Sequence, residues 1–267
     1  MRAEIKSTML ALKEELVIPC KSCKGIGWLE PEEPGVNNPC RCMLVFHYLN
    51  FLIETKIPRD YWWLAIDDLE MDKGFKSFCH WYNKRIDKAV LNSLGVLFLG
   101  PNGIGKTSMQ CAIGKEGVVN GYNVQYFTAQ QYIESRKAND DILTKEYESG
   151  QIILLDELDK VYIKSRSDYV TKTLEDFLRR KTSDGALFII CTNHDQETLE
   201  DVFGQSTMSM LKRHLRFVDV EGDDYGDKLQ SRWNDIMESD RDYYDERITS
   251  MAIRLHEREV REDEGDW

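Results

Sequence analysis

Hydrophobic residues in the first third of the chain recur at helical spacing. Four residues within positions 1–19 are spaced as on one face of a helix: Ile5, Met9, Leu12 and Leu16. Residues 72–91 predict one long amphipathic helix. Its apolar face would consist of Phe75, Phe78, Tyr82, Ile86 and Val90.

From residue 96 onwards the pattern changes to short apolar runs separated by helical segments. The predicted strands cover residues 96–99, 123–127, 151–155, 186–191 and 217–220. The predicted helices cover residues 107–119, 129–148 and 169–181, a short segment before the last strand, and the acidic residues 227–260. This alternation predicts an α/β fold in which a parallel sheet is flanked by crossover helices.

The first predicted strand leads into a glycine-rich loop with the spacing of a phosphate-binding loop. Glycines let backbone N–H groups turn towards phosphate oxygens, while Lys106 is placed to reach the β- and γ-phosphates and Thr107 offers its hydroxyl to Mg²⁺. The positive N-terminal end of the following helix faces the anion. We therefore expect ATP to be bound by Gly100, Pro101, Asn102, Gly103, Ile104, Gly105, Lys106, Thr107 and Ser108.

Polar residues follow two later apolar runs. Asp156 ends the run at residues 151–155 and is placed to hold Mg²⁺, and Glu157 beside it is placed to polarise an attacking water. Asn193 follows the run at residues 186–191, where its amide would sense the γ-phosphate. Asparagine after a strand is also an ordinary turn residue, but its order in the chain favours the functional interpretation.

Four of the seven cysteines form two short pairs near the N-terminus, Cys20 with Cys23 and Cys40 with Cys42. Two such pairs suit tetrahedral Zn²⁺, and we expect a structural site that holds together a segment too small to fold on its own core. Because Cys-x-Cys forms a strained chelate, His47 is an alternative ligand. Unligated cysteines are the remaining interpretation.

Two groups of residues are candidates for contacts with nucleic acid. Tyr61, Trp62 and Trp63 are able to stack on bases, although such a cluster is more often part of a core. A second group combines cations with interleaved tyrosines, and an ordinary solvated face explains it equally well. This group consists of Lys160, Tyr162, Lys164, Arg166, Tyr169, Arg179 and Arg180.

Composition narrows the class of protein. The 267 residues suffice for one core and a small appendage, and without a secretory signal or eighteen consecutive apolar residues we expect a cytoplasmic protein with no membrane contact. The odd number of cysteines fits a reducing compartment.

Half of the net charge of −12 lies in residues 226–267, with 13 acids against 7 bases. This balance argues against coating of duplex DNA but permits a local basic groove or a protein partner.

The order of these motifs resembles that of AAA+ ATPases, and residues 20–225 resemble the DnaC/DnaI-type replicative helicase loaders, particularly phage-borne versions. The resemblance rests on a Cys-x2-Cys-x-Gly-x-Gly-Trp leader closing in Pro-Cys-x-Cys, an Ile-Pro-Arg-Asp-Tyr linker and the segment Arg-Phe-Val-Asp-Val-Glu-Gly-Asp-Asp-Tyr. It implies the strand order 5-1-4-3-2. It also implies a cysteine-rich domain that engages a DnaB-type helicase, and an ATPase domain that assembles into a ring or spiral on single-stranded DNA.

The resemblance assigns catalytic roles to single residues. Its matches are Lys106 and Thr107 for Walker A, Asp156 and Glu157 for Walker B, Asn193 for sensor 1, and Arg213 for the arginine finger that completes a neighbour's site. Arg216 competes for the finger role, because the family places an arginine where this chain has Met210. The chain also continues well beyond the last predicted strand, and no sensor 2 residue is recognised.

We therefore expect four regions. They are a zinc-binding, helicase-interacting domain (1–60), a linker and helix (61–92), an AAA+ ATPase domain (93–225) and an acidic helical extension (226–267). The expected function is ATP-dependent loading of a replicative helicase during initiation of replication, in a bacterial cytoplasm or a phage-infected cell, with ATP, Mg²⁺ and Zn²⁺ as cofactors. One alternative is an IstB-like transposition helper ATPase, which usually lacks the zinc leader. Another is a DnaJ-like zinc module, in which the cysteine motif is repeated.

Overall fold

The computed structural model describes residues 2–30, 37–69, 71–161, 168–222 and 246–263. The helices are α1 (Arg2–Leu16), α2 (Arg41–Thr55), α3 (Lys73–Asn83), α4 (Ile86–Leu91), α5 (Lys106–Val119), α6 (Ala129–Lys137), α7 (Asp141–Glu148), α8 (Asp168–Ser183), α9 (Gln196–His214) and α10 (Glu246–Asp263). The strands are β1 (Gly95–Leu99), β2 (Val124–Thr128), β3 (Ile152–Asp156), β4 (Leu187–Thr192) and β5 (Leu215–Asp219). Short 3₁₀ helices cover Arg59–Tyr61 and Ile66–Asp68.

The five strands form one parallel sheet in the order β2-β3-β4-β1-β5. Counted from the opposite edge this is the predicted order 5-1-4-3-2, so the predicted α/β fold is confirmed. Every residue of β1, β3 and β4 is buried, which explains why these strands are almost continuously apolar. The register places Leu99 opposite Thr192, so the carboxyl ends of β1 and β4 lie side by side.

Helices pack on the sheet through a core rich in aromatic residues. Phe177 of α8 lies 4.3 Å from Tyr132 of α6 and 5.6 Å from Phe188 of β4, measured between ring centroids. Phe127 of β2 and Tyr147 of α7 belong to the same cluster, and their ring centroids lie 4.5 Å apart. The aromatic residues thus fix α6, α7 and α8 against the β2-β3-β4 side of the sheet.

Two helices predicted as continuous are each divided in two. The predicted helix 72–91 is interrupted between α3 and α4, where Arg85 has non-helical dihedral angles. The predicted helix 129–148 is interrupted at Asn139, whose φ of 52° is left-handed. Asp140 then caps α7 by accepting a hydrogen bond from the N–H of Leu143 at 2.9 Å. The prediction of two long helices was wrong because apolar spacing continues through both breaks.

By its internal contacts the chain divides into two compact units. One contains Met1–Trp63, Val118–Gly121 and Ser239–Trp267, and the other contains Leu64–Gly117 and Tyr122–Glu238. The four region boundaries derived from the sequence stay predictions. Of the predicted acidic helix, residues 227–245 lie outside the described part of the chain.

In the first unit, α10 packs against α2. Ile248, Ala252 and Leu255 of α10 are at most 2% exposed, and so are Tyr48 and Leu49 of α2. Three polar contacts accompany this apolar seam. The hydroxyl of Tyr48 donates to Met251 Sδ at 3.2 Å, Arg41 Nη2 donates to Thr249 Oγ1 at 2.8 Å, and His47 Nε2 lies 3.0 Å from Glu259 Oε1. The C-terminal helix is therefore part of the core of the N-terminal unit. Among the described helices, none has the length and apolar character that crossing a membrane requires.

We expect Leu255→Ala to destabilise the first unit by about 2–5 kcal/mol, because it removes a buried side chain from the seam between α2 and α10. Urea unfolding followed by circular dichroism measures this change. Ile253→Ala on the same helix is the matched control, since Ile253 is 40% exposed. Equal unfolding midpoints for the two variants would contradict the packing described.

Candidate functional site

The loop between β1 and α5 has a backbone that only glycine adopts easily. Gly103 and Gly105 have φ values of 80° and 85°, in the left-handed region. Gly100 has a φ of 144°, and a Cβ there would lie 2.3 Å from the carbonyl oxygen of Val220. The loop therefore curls tightly between the end of β1 and the first turn of α5, as binding of a phosphate group by backbone N–H groups requires.

Lys106 lies in the first turn of α5 with its ammonium group turned back into this loop. Its Nζ donates to the carbonyl oxygens of Gly100 at 2.7 Å and Pro101 at 2.5 Å, and to Asn193 Oδ1 at 3.0 Å. Burial lowers the pKa of Lys106, and the nearby carboxylates of Asp159 and Asp156 act in the opposite direction. Because a phosphate oxygen is a stronger acceptor than a carbonyl, this ammonium is well placed to bind a nucleotide.

Asp156 and Thr107 bring oxygen atoms together at the end of β3. Thr107 Oγ1 lies 3.0 Å from Asp156 Oδ2, which also accepts a hydrogen bond from the Tyr126 hydroxyl at 2.9 Å. The backbone N–H of Glu157 donates to Asp156 Oδ1 at 2.8 Å. Burial raises the pKa of Asp156, whereas the hydrogen bond from Tyr126 lowers it. A carboxylate beside a hydroxyl is a donor set that fits Mg²⁺, which prefers oxygen ligands.

Glu157, the candidate for polarising water, has a left-handed backbone with a φ of 54°. This conformation is uncommon for glutamate and directs the chain sharply out of β3. Its carboxylate forms an ion pair with Lys160. In this structure the candidate base is therefore engaged by a neighbouring cation.

Asn193 is held by a carboxylate that the motif analysis overlooked. Asp159, which is 2% exposed, accepts hydrogen bonds from the backbone N–H of Asn193 at 2.8 Å and from its Nδ2 at 2.9 Å. With Nδ2 bound to Asp159, the side-chain oxygen of Asn193 faces the ammonium of Lys106. Asp159 lies three positions after Asp156, a spacing that could have drawn attention to it. Tyr126 offered no such signal, because its contact with Asp156 depends on the pairing of β2 with β3.

The four cysteines of the two short pairs converge in the first unit. Their Sγ atoms all lie within 4.8 Å of one another, with Cys20 and Cys40 3.8 Å apart and Cys23 and Cys42 3.5 Å apart. Four sulfurs about 2.3 Å from a tetrahedral zinc ion lie about 3.8 Å from each other, so the cluster fits Zn²⁺. The N–H of Gly27 donates to Cys23 Sγ at 3.1 Å and so orients this candidate ligand.

The environments of the cysteines differ. The backbone N–H of Cys23 lowers the pKa of Cys20 to about 7, while burial raises the pKa values of Cys40 and Cys42. His47 is not a member of the cluster, because its Nε2 lies against the carboxylate of Glu259 on α10. The geometry therefore favours four cysteine ligands over the alternative with His47.

Comparison with known proteins places this geometry in a family. Residues 96–213 match the sequence profile of the "ATPase family associated with various cellular activities (AAA)". This segment is an AAA ATPase domain. The matched range includes the phosphate-binding loop, Asp156, Asn193 and Arg213. The AAA assignment and the ATPase class predicted from the motifs are thus confirmed.

Solved structures resemble the chain in fold. The DnaC helicase loader has a TM-score of 0.54 at 16% identity, covering 61% of this chain and 100% of that one. DnaI has a TM-score of 0.52 at 14% identity, covering 63% and 93%. Domain III of the replication initiation protein DnaA from Thermotoga maritima has a TM-score of 0.53 at 18% identity, covering 78% and 92%. A search of curated protein sequences finds no match.

The two candidates for the arginine finger differ in their contacts. Arg213 is exposed at the end of α9 and donates only to Ser209 Oγ at 3.4 Å among the described residues. Arg216 is exposed on β5, with its guanidinium carbon 5.2 Å from the ring centroid of Phe78. Within the described ranges neither guanidinium contacts the phosphate-binding loop of its own AAA domain.

Several residues proposed for nucleic-acid contacts have partners inside the protein. Arg180 forms two hydrogen bonds of 2.7 Å with Glu148, and Arg179 donates to Thr207 Oγ1 at 2.9 Å. Trp62 is 5% exposed and donates to the carbonyl of Ile57 at 2.9 Å, so it belongs to a core. Tyr162, Lys164 and Arg166 lie outside the described residues. The contacts observed thus favour structural roles for Trp62, Arg179 and Arg180.

We expect Asp159→Asn to reduce the kcat of ATP hydrolysis by about 10- to 100-fold with little change in KM, since the new amide places a donor against Asn193 Nδ2. Steady-state kinetics and a nucleotide-binding titration measure the two quantities. Asp176→Asn, which makes the same change at an exposed position of α8, serves as the control. A parallel loss of nucleotide affinity would contradict a positioning role for Asp159.

We expect one zinc ion per chain. Cys23→Ser should abolish zinc retention, because a serine hydroxyl replaces one of four thiolate ligands. Elemental analysis of the purified proteins measures the content. Cys79→Ala, which removes a buried thiol outside the cluster, should retain the metal. Zinc retention by Cys23→Ser would exclude the four-cysteine site.

Proposed function

We propose that the protein is an ATP-dependent loader of a replicative DnaB-type helicase onto single-stranded DNA during initiation of replication. The observation that carries this proposal is the combination of an AAA domain with a four-cysteine cluster in a separate unit. The fold-level likeness to DnaC and DnaI supports it. We place this activity in a bacterial cytoplasm or a phage-infected cell.

The AAA domain would bind ATP through the loop from Gly100 to Ser108. Lys106 would exchange its carbonyl partners for phosphate oxygens, and its charge would stabilise negative charge that develops on the γ-phosphoryl group. Thr107 and Asp156 would hold Mg²⁺, which neutralises charge on the β- and γ-phosphates. Asn193, oriented by Asp159, would sense the γ-phosphate.

Hydrolysis would require a second subunit. Glu157 must leave Lys160 before it can orient water, and Arg213 is exposed where it is available to a neighbour's nucleotide. We therefore infer that the protein self-associates into a ring or spiral and that the isolated subunit is a poor ATPase. ATP binding would favour the assembly that grips single-stranded DNA, and hydrolysis would release it.

The cysteine cluster would hold Zn²⁺ in a structural role and form the surface that engages the helicase. All four ligand positions are filled by thiols, so no position is open for catalysis. Left-handed glycines at positions 25 and 27 shape the knuckle around Cys20 and Cys23. Loss of the metal should therefore disorder the helicase-binding surface while leaving the AAA domain folded.

We expect the protein to co-purify with a DnaB-type helicase in the presence of ATP and Mg²⁺. Cys20→Ser/Cys23→Ser should lose the complex, because these changes remove half of the zinc ligands. Lys106→Ala should show whether the complex requires nucleotide. Cys79→Ala should retain the complex, since this thiol lies outside the cluster. If the wild type forms no complex under any nucleotide condition, the loader proposal fails and an IstB-like transposition ATPase replaces it.

A further inference from the structure

Four side chains on α3, β5 and the segment between α3 and α4 form a row in which two stacked rings lie between two cations. Arg216 lies over Phe78 at 5.2 Å, Phe78 stacks on Trp81 at 6.0 Å with an interplanar angle of 30°, and Arg85 lies over Trp81 at 4.9 Å. We call this row of Phe78, Trp81, Arg85 and Arg216 the aromatic ladder. Its members belong to the same compact unit, so the contacts are internal to that unit.

The ladder exposes both charge and aromatic surface. Trp81 is 48% exposed, and Arg85 and Arg216 are exposed as well. In the described part of the chain, neither arginine is paired with a carboxylate. Arg85 Nη1 donates to the carbonyl oxygen of Trp81 at 3.2 Å, which holds this guanidinium over the ring. Because stacking covers the face of a guanidinium and not its in-plane N–H donors, the remaining donors of both arginines are oriented to bind a phosphate. An exposed tryptophan beside two guanidiniums that have no carboxylate partner among the described residues is a surface suited to a ligand with both bases and phosphates.

The segment that carries Phe78, Trp81 and Arg85 is basic, although Asp67 lies 2.9 Å from His80 Nε2 and Asp72 caps the start of α3. Residues 73–88 contain five basic residues, Lys73, Lys76, Lys84, Arg85 and Lys88, and a single acid, Asp87. The Asp87 carboxylate accepts a hydrogen bond from the hydroxyl of Tyr122 at 2.8 Å. The segment thus carries a local charge of +4, from five bases and one acid, in a chain of net charge −12. A local basic surface on an acidic protein attracts a polyanion to one place rather than along the whole molecule.

We propose that the aromatic ladder is a binding site for single-stranded nucleic acid. Arg85 and Arg216 bind successive phosphates, and Trp81 offers its exposed surface to a base. A single strand fits better than a duplex, because only unpaired bases can stack on a side chain at the protein surface. The identification of the ligand as single-stranded nucleic acid rests on the proposed function. None of the four ladder residues belongs to the group of cations and tyrosines at residues 160–180.

The test uses the full-length protein with ATP and Mg²⁺ and a fluorescein-labelled oligo-dT strand, whose anisotropy reports binding at several salt concentrations. Each lost phosphate contact lowers the slope of log K against log [salt] by about 0.7, so Arg85→Gln/Arg216→Gln should lower it by about 1.4. Trp81→Ala should weaken binding about tenfold, and Trp81→Phe should restore most of the affinity. On an abasic strand of equal length, Trp81→Ala and the wild type should bind alike.

Arg136→Gln/Lys137→Gln on α6 is the matched control, because it removes two exposed cations from a helix that carries no ladder residue. Unchanged slope and affinity in the ladder variants relative to this control would overturn the proposal. The proposal also fails if the ladder variants lose helicase binding but retain DNA binding, since the ladder would then be a protein interface. Size-exclusion chromatography checks that the variants assemble as the wild type does.

The outcomes also separate this inference from the loader proposal. If the wild type forms the helicase complex but does not bind the strand, the ladder site is excluded while the helicase contact stands. If the ladder variants lose strand binding but the wild type never binds a helicase, the ladder site is supported and the loader proposal fails.

Discussion

The buried ammonium of Lys106 is the group on which the nucleotide site depends. A charge that is 7% exposed is tolerated only when acceptors surround it, and here two loop carbonyls and the Asn193 side chain supply them. Asn193 can face Lys106 with its oxygen because Asp159 binds its nitrogen. Asp159 itself lies one turn beyond the end of β3. The position of one cation therefore fixes the loop after β1, the end of β4 and the turn after β3.

This arrangement follows from the sheet. Parallel pairing with β1 next to β4 and β4 next to β3 brings the three carboxyl ends together, so residues far apart in sequence share one edge. The apolar runs therefore determine not only the core but also where the chemistry of the AAA domain is assembled.

Local sequence patterns were sufficient for the features that depend on neighbouring residues. The phosphate-binding loop, the five strands and the cysteine pairs could be predicted because each is defined by spacing within a few residues or by one apolar run. The contact of Tyr126 with Asp156 and that of Arg216 with Phe78 could not, since each joins residues from different elements. The breaks after α3 and α6 were missed because apolar periodicity does not register a single left-handed residue such as Asn139. The packing of α10 on α2 was not predicted because it also joins elements that are far apart in sequence.

The packing of α10 on α2 has a consequence for the order of folding during synthesis. Residues from both sides of the AAA domain build one core, to which α2 contributes the buried Tyr48 and Leu49 and α10 the buried Ala252 and Leu255. The ribosome must therefore complete the AAA domain before the helix that finishes the cysteine-containing unit exists. Until then the part of α2 that α10 covers lacks this partner on the nascent chain, so the first unit cannot complete its core before the AAA domain has been synthesised.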